Sequence, residues 1–474
     1  MRHIAAVVLV IGVCWTTHAQ DVSSPNASGK SAGGKSVIGK NSIHHESVKP
    51  AFFDTVDHGD PAGKAPSIQP WKRVALDPNY SGAWVITGDV NGDGQVEIVS
   101  ARNVNVGDVH YTSAAVAQRL DGQVLWRWGN PNIGRRGLHH DVACQIYDWD
   151  GDGTNEVVVA TKDCLVELDG VTGKERRRLP IPPEASDCLV FANLSGRPRA
   201  TDVLVKSRYG QIWALNYSGK VLWTVRSPGG FPTAHQPIPI DIDADGRDEI
   251  MAGYAMLNPD GQIRWTLADA GRLGGHMDCC RILRKGKTPQ EWRLVVTCCG
   301  GSGNKLLAVD GNGKTEWEIG GHHFESIDIG RIHPQRPGPQ VLVDLVDTNA
   351  LWAVDGNGGL LGQIKVDYSR FHTLVDWNGD GYEEIVLPHG RGIFDFQGRR
   401  VGTFAMETQK DLYGGKPSAE GEVGNIVVRG DMDGDGVPDI TITAPYTVYV
   451  FKNEKGRKPK ERTALGCGSN FTLY

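Results

Sequence analysis

Five stretches of the chain space oxygen-bearing side chains in the same way. They are Asp89, Asn91, Asp93 and Glu97; Asp148, Asp150, Asp152 and Glu156; Asp241, Asp243, Asp245 and Glu249; Asp376, Asn378, Asp380 and Glu384; and Asp431, Asp433, Asp435 and Asp439. Oxygens fall at positions one, three and five, a Gly at six, and a carboxylate at nine. Alternate side chains of a turning backbone converge on one hard cation, and the Gly permits the turn. Calcium suits such an all-oxygen cage. The pattern is not an EF-hand, whose last acid comes three positions later and whose flanks are helical. Each loop can tie together only two strands of its own repeat. Several structural calcium ions are therefore expected here, as staples rather than catalysts.

A second set of residues has different chemistry. Of the 15 histidines, His3 and His18 fall in the first 19 residues, and seven of the remaining 13 share one register. His139, His140, His235, His276, His322, His323 and His372 each stand at the start of a short apolar run. Any one of them alone reads as an ordinary loop histidine. Their common register is the signal, because it places them together if the repeats form a ring. A converging set of imidazoles suits acid–base work, zinc, or both. Cys279 and Asp278, beside His276, add further ligand types. No dense spacing such as HExxH occurs, so zinc at His235, His276, Cys279, His322, His323 and His372 rests on the repeat register.

The elements that must hold these groups are read from the repeat. One unit is a short apolar run, an acidic loop, a second run, a third, a Gly turn such as "DGNGK" or "NYSGK", and a fourth run such as VLWRW or VLWTV. No segment has convincing helical periodicity. Four-strand units of roughly 40–50 residues are the signature of β-propeller blades. The expected fold is all-β, a propeller of seven or eight four-stranded blades with calcium loops of the DxDxDG type. Eight innermost strands can be counted, starting near Gly82, His140, Asp187, His235, His276, His323, His372 and Asn425. WKRVALD from Trp71, or NFTLY at the C-terminus, is placed to close the ring with the last blade. Inner strands of a propeller all run the same way. The histidines therefore crowd one mouth of the channel and the acidic loops the other face, some ~25 Å apart for eight residues of strand. Trp126, Trp128, Trp213, Trp223, Trp265, Trp317 and Trp352 fall mostly on third and fourth strands, where packing between blades is expected.

Composition sets the remaining bounds. Arg2, the apolar run Ile4–Trp15 and the small-residue site ending at Ala19 read as a secretory signal peptide over residues 1–19. Residues 20–66 are rich in Ser, Gly, Lys and His without periodicity and read as a flexible linker, leaving 67–474 as the propeller. A secreted or periplasmic, monomeric protein without a membrane span is expected. A net charge of −6 with no basic tail argues against nucleic acid. Eight cysteines follow the leader, an even number that permits disulfides, and Cys279-Cys280 can be drawn against Cys298-Cys299 on neighbouring strands.

The stretch "KSRYGQIWALNYSGKVLW", Lys206 to Trp223, followed by Arg226, resembles secreted propeller polysaccharide lyases, the ulvan lyases above all. "GHHFESIDIGRIHPQRPGPQVLV" resembles the "HxxxxGDxxPxRPGxEV" pattern of eight-bladed rhamnogalacturonan lyases. The loops resemble the calcium loops of FG-GAP and VCBS repeats. The likeness covers about residues 70–474 as repeat architecture and is specific in these patches. It implies an exported lyase that cleaves a uronate-containing acidic polysaccharide by β-elimination, with a zinc held by His and Cys. By position it implies Tyr209 and His140 or His139 in proton transfer, and Arg226 or Arg208 as the cation that neutralises the uronate. The residue types fit: the C5 proton needs a base, the carboxylate a counter-charge, and the leaving oxygen an acid. Two other readings stand beside this one. A non-catalytic FG-GAP-type propeller would bind carbohydrate or protein at the mouth. A glycoside hydrolase would need a carboxylate pair there, for which Glu325 and Asp141 are available.

Overall fold

The computed structural model describes residues 42–43, 49–82, 84–106, 109–136, 143–300, 304–407, 426–444, 446–459 and 465–466. These form eight antiparallel sheets, one per repeat, so the count is settled at eight blades. Four consecutive strands build each of the first seven: blade 1 spans 84–129, blade 2 144–180, blade 3 188–226, blade 4 233–266, blade 5 276–320, blade 6 324–365 and blade 7 373–404. Blade 8 takes three strands from residues 426–451 and its outermost one from Lys72–Ala75. The strand expected from Trp71 thus closes the ring, whereas NFTLY lies outside the described residues. The same holds for the signal peptide.

Repeating contacts explain the repeating residues. Trp126 donates its indole N–H to Gly170 of the next blade at 2.7 Å, and Trp223, Trp265 and Trp317 do the same to Pro259, Gly311 and Gly356 at 2.9–3.0 Å. Each indole lies flat over a turn glycine. A Cβ at Gly173, Gly261 or Gly313 would stand 2.5–2.7 Å from ring carbons. The fourth-strand Trp and the Gly turn are therefore one interlocking contact, with buried aliphatic residues of facing sheets filling the space behind it.

Part of the stretch expected as linker is strand. Phe53–Val56 adds a parallel fifth strand to the outer edge of blade 6, as Ser42–Ile43 does on blade 5; Ser67–Ile68, just past that stretch, does so on blade 7. Buried Phe53 lies against Gly362 and Gly398, where no side chain intervenes. Arg400 grips Asp57 through two N–H···O contacts of 2.9 and 2.6 Å. A polar, aperiodic segment can still be ordered when it satisfies the open edge of someone else's sheet, and periodicity does not register that. The cysteine pairing is also corrected: all seven described cysteines are free thiols. Cys280 stands opposite Val296 and Cys298 opposite Met277, so the two Cys pairs are out of register.

Candidate active site

Inner strands of three adjacent blades are irregular where they reach the channel mouth. Ladder register shifts between Thr233 and Ile238 in blade 4, Met277 and Cys280 in blade 5, and Phe324 and Ile327 in blade 6. A bulge releases side chains from strict alternation and re-aims them. In blade 5, Met277 and Cys280 pack in the core shared with blade 4, and Cys279 packs in the one shared with Phe324 and Ile327 of blade 6. Asp278 between them is left to meet two histidines. Its Oδ1 lies 3.0 Å from His276 Nε2 and 3.3 Å from His235 Nε2. The two Nε2 atoms are themselves 3.2 Å apart. Only one of them can donate to the other, so at least one lone pair faces this point. Neither Asp278 oxygen finds hydrogen-bond geometry, although the residue is 2% exposed. Burial alone would raise its pKa, but the flanking imidazoles win and hold the carboxyl below its ordinary range.

Cys299 and His323 extend the group. Cys299 faces His276 across the blade 5 ladder and lies 2.8 Å from His323 Nε2. Asp278, Cys299 and His323 offer atoms all within 4.8 Å of one another, as do His235, His276 and Asp278. Burial and the Asp278 charge push the Cys299 thiol up. A divalent cation would reverse that balance. The donor set of imidazoles, thiol and an orphaned buried carboxylate fits zinc. Cys279, expected as a ligand, is not there, because the bulge sends it into the core. The thiol that is there, Cys299, comes from the neighbouring strand and has no register signature of its own.

Tyr209 covers this group. Its ring centroid is 4.4 Å from that of His276 and 5.4 Å from that of His235. It stands in the loop joining the second and third strands of blade 3, at the same face as the inner-strand starts. Arg208 beside it places its guanidinium 5.1 Å from the Tyr209 ring and its Nη1 3.1 Å from His110 Nδ1. Arg226 is elsewhere. It ends the outermost strand of blade 3, exposed, opposite Gln211. Three strand spacings, ~14 Å, separate that strand from the innermost one. Of the two arginines weighed, Arg208 is the one at the mouth.

Sequence reading missed the support beneath Arg208. The second and third strands of blade 1 run on as a long hairpin, Glu97–Val106 with Val109–Arg119, which carries His110 to blade 3. There His110 hydrogen-bonds Asp187. Asp187 also binds Lys206 Nζ at 2.6 Å, and Lys206 is 0% exposed. Lys206 in turn donates to the Arg208 carbonyl. His110 stands on the third strand of its blade, two strands away from the shared register, so only the folded hairpin reveals it.

The other expected residues divide. His322 turns to Asp347 at 3.1 Å and packs on Trp352, apart from the cluster. His372 forms its own buried network with Asp328 at 3.0 Å, Ser326 at 3.3 Å and Asp344 at 3.8 Å. Burial would lower its pKa, but the two carboxylates raise it to about 9. Arg281 and Arg429 act on the same Asp328. A raised folded-state value stabilises the fold fully below the unfolded value of about 6.5, and the contribution is lost as pH rises through about 9. The melting temperature should therefore fall over that window, and His372→Gln should be less stable at pH 7 with a flatter profile. An unchanged slope in thermal melts would remove His372 as the cause. Glu325, burial-shifted to about 7, is held 2.9 Å from Arg370. Asp278 and Asp344 add to that upward shift, and the carboxylate weighed beside it, Asp141, lies outside the described residues, as do His139 and His140.

In the acidic loops, the first Asp caps the turn: Asp89, Asp376 and Asp431 each accept from two backbone N–H groups of their own loop. The last carboxylate accepts the N–H of position two at 2.8–3.1 Å in every loop, from Glu97, Glu156, Glu249, Glu384 and Asp439. The loops are thus preformed with their oxygens gathered.

Residues 73–177 match the family model for the C-terminal domain of rhamnogalacturonan lyase family 11, and residues 423–456 match the FG-GAP repeat. Two curated proteins of Bacillus subtilis (strain 168) are similar. Rhamnogalacturonan endolyase YesW is 28% identical over 357 residues, covering 64% of this chain and 52% of that protein. Rhamnogalacturonan exolyase YesX is 27% identical over 302 residues, covering 55% and 44%. The chain spans about half the length of the curated relatives it matches. The solved structure of YesW aligns with a TM-score of 0.57 at 20% identity over 84% of this chain and 76% of that one. That of Bacillus licheniformis rhamnogalacturonan lyase PL11 gives 0.60 at 20% over the same shares. The V. cholerae biofilm matrix protein Bap1 gives 0.57 at 13%, over 87% and 94%. These structures share the propeller fold. Of the resemblances drawn from the sequence, these matches carry the one to rhamnogalacturonan lyases.

Proposed function

We propose that the protein is an exported polysaccharide lyase that cleaves a uronate-containing glycan, of the rhamnogalacturonan class, by β-elimination at the channel mouth. The observation that carries this reading is the contact of Arg208, Tyr209, His235 and His276 at that mouth. Similarity to proteins named rhamnogalacturonan lyases supports it. The leader-like first 19 residues support export, and no helix among the described residues is long and apolar enough to cross a membrane.

The chemistry assigns a part to each group. The Arg208 guanidinium pairs with the uronate carboxylate and so makes the C5 proton more acidic. Tyr209, held against His276, exchanges a proton with substrate, as acid towards the leaving oxygen. The base is His140 or His139, which the register sets just ahead of the blade 2 inner strand. His235, His276, Asp278, Cys299 and His323 are the residues that would hold a zinc ion, and such an ion supplies positive charge that stabilises a developing carboxylate dianion. Calcium, where the acidic loops bind it, is structural rather than catalytic.

The test is incubation of the purified protein with rhamnogalacturonan, ulvan, pectin and alginate. Ultraviolet absorbance from an unsaturated uronate should rise with at least one, and His140→Ala should abolish it. Elemental analysis of the same sample should find zinc and calcium. No product from any of the four would overturn the lyase reading and leave a carbohydrate- or protein-binding propeller.

A further inference from the structure

The outermost strand of every complete blade carries one bulge, always three residues after the turn glycine. The ladder shift falls opposite Leu125, Arg176, Leu222, Arg264, Glu316, Leu361 and Val401 in blades 1 to 7. A bulged residue is free to point away from its strand's alternation. Arginine occupies this register in blades 2 and 4 alone, and both carry an acidic loop. In each, the guanidinium enters the loop. Arg176 Nη1 lies 2.7 Å from Glu156, 3.0 Å from Asp150 and 3.7 Å from Asp152. Arg264 Nη1 lies 2.7 Å from Asp243 and 3.0 Å from Glu249. Blade 8, whose outer strand comes from the N-terminal segment without a bulge, uses a different residue. There Lys452, just past the third strand, pairs with Asp433 and lies 3.7 Å from Asp435.

Among the described residues, no guanidinium or ammonium enters the two remaining acidic loops in this way. Leu125 and Val401 hold the bulge position in blades 1 and 7. Arg119 pairs with Asp93 at 3.6 Å from a side chain 42% exposed, and acts on Glu97 through space without entering hydrogen-bond distance of it. No Lys or Arg pairs with Asp376, Asp380 or Glu384 among the described residues, and nearby Arg457 binds the Gly379 carbonyl instead. Position three is also Asp in blades 2, 4 and 8, where three acids converge within 4.8 Å, but is Asn91 or Asn378 in blades 1 and 7.

We propose that Arg176, Arg264 and Lys452 are the built-in counter-ions of their loops, so that blades 2, 4 and 8 close without metal and only blades 1 and 7 depend on calcium. A fixed guanidinium among the carboxylates hydrogen-bonds the oxygens a divalent ion would take and supplies one of its two positive charges. The proposal rests on the calcium reading for blades 1 and 7 but not for the other three.

The experiment measures calcium bound per chain by calorimetric titration after chelator stripping, with melting curves alongside. About two ions are expected for the unaltered protein. Arg176→Leu, which gives blade 2 the bulge residue of blade 1, should gain one ion. In chelator its melting temperature should drop by about 2 °C or more, with recovery in calcium. Arg176→Lys should keep the original stoichiometry. Five ions in the unaltered protein would overturn the proposal, and so would an Arg176→Leu protein with neither extra calcium nor lost stability. If the unaltered protein binds none, the calcium reading of blades 1 and 7 falls. The counter-ion role is then decided by whether Arg176→Leu still loses stability in chelator.

Discussion

Tyr209→Phe is expected to lower kcat on the cleaved glycan by about 10²–10⁴-fold, the usual contribution of a positioned proton donor or acceptor. The substitution removes one hydroxyl and leaves the ring, so its packing 4.4 Å from His276 should persist. KM should change little, because the uronate is held by Arg208 and not by the hydroxyl. A protein that melts like the parent, binds substrate with similar KM and yields no unsaturated product would place proton transfer at Tyr209. Retention of more than about a tenth of kcat would remove it from the chemistry and return attention to His139 and His140. Arg208→Ala should behave differently, raising KM as well as lowering kcat, since it loses charge pairing in ground and transition states alike.

Lys206→Met should destabilise the propeller by about 3–5 kcal/mol. Lys206 and Asp187 are 0% and 1% exposed and meet at 2.6 Å. Without Lys206, Asp187 keeps, among the described residues, only His110 and the Arg208 guanidinium, 3.9 Å away, against its buried charge, and an undercompensated buried charge costs far more than the pair contributes. Met matches the Lys stem in length, so lost packing is a minor part of the effect. The double variant Lys206→Met with Asp187→Asn removes both charges and should recover much of the loss. Denaturant melts of the single and double variants measure this directly, and equal losses in both would point to packing rather than charge. The activity of the double variant is informative too. Asp187 also anchors His110, and Lys206 holds the Arg208 carbonyl, so the double variant should lose catalysis even where it regains stability.

The architecture was legible because it repeats. Five blades share the acidic-loop spacing, seven the turn glycine and four the fourth-strand tryptophan, and the Trp–Gly contact between blades gives part of that recurrence its cause. The N-terminal segment was not legible. Phe53–Val56 has no amphipathic period because it borrows its partner strand from blade 6. Its order comes from an edge some three hundred residues away in sequence.

For the site, local pattern reached as far as chain neighbours and stopped. The shared register of His235, His276 and His323 follows from strand direction, and any ring of blades would bring their starts to one mouth. Acid spacing at one, three, five and nine likewise gathers oxygens by local geometry alone, since one turn of backbone contains them all. Which residues meet was decided by features with no local mark. Bulges on three inner strands turn Asp278 towards His235 and His276 and send Cys279 into the core. A neighbouring strand supplies Cys299, and a long hairpin from blade 1 delivers His110 to Asp187. Arg208 and Arg226 look alike as sequence, but strand order puts one at the channel mouth and the other on an outer edge. The chain by itself determined the four-strand repeat, its loops and the mouth where the histidines gather, and left the count at seven or eight. Only the tertiary structure chose the side chains that touch, because those contacts join different blades, and their distances depend on ladder register and bulges that no single strand encodes.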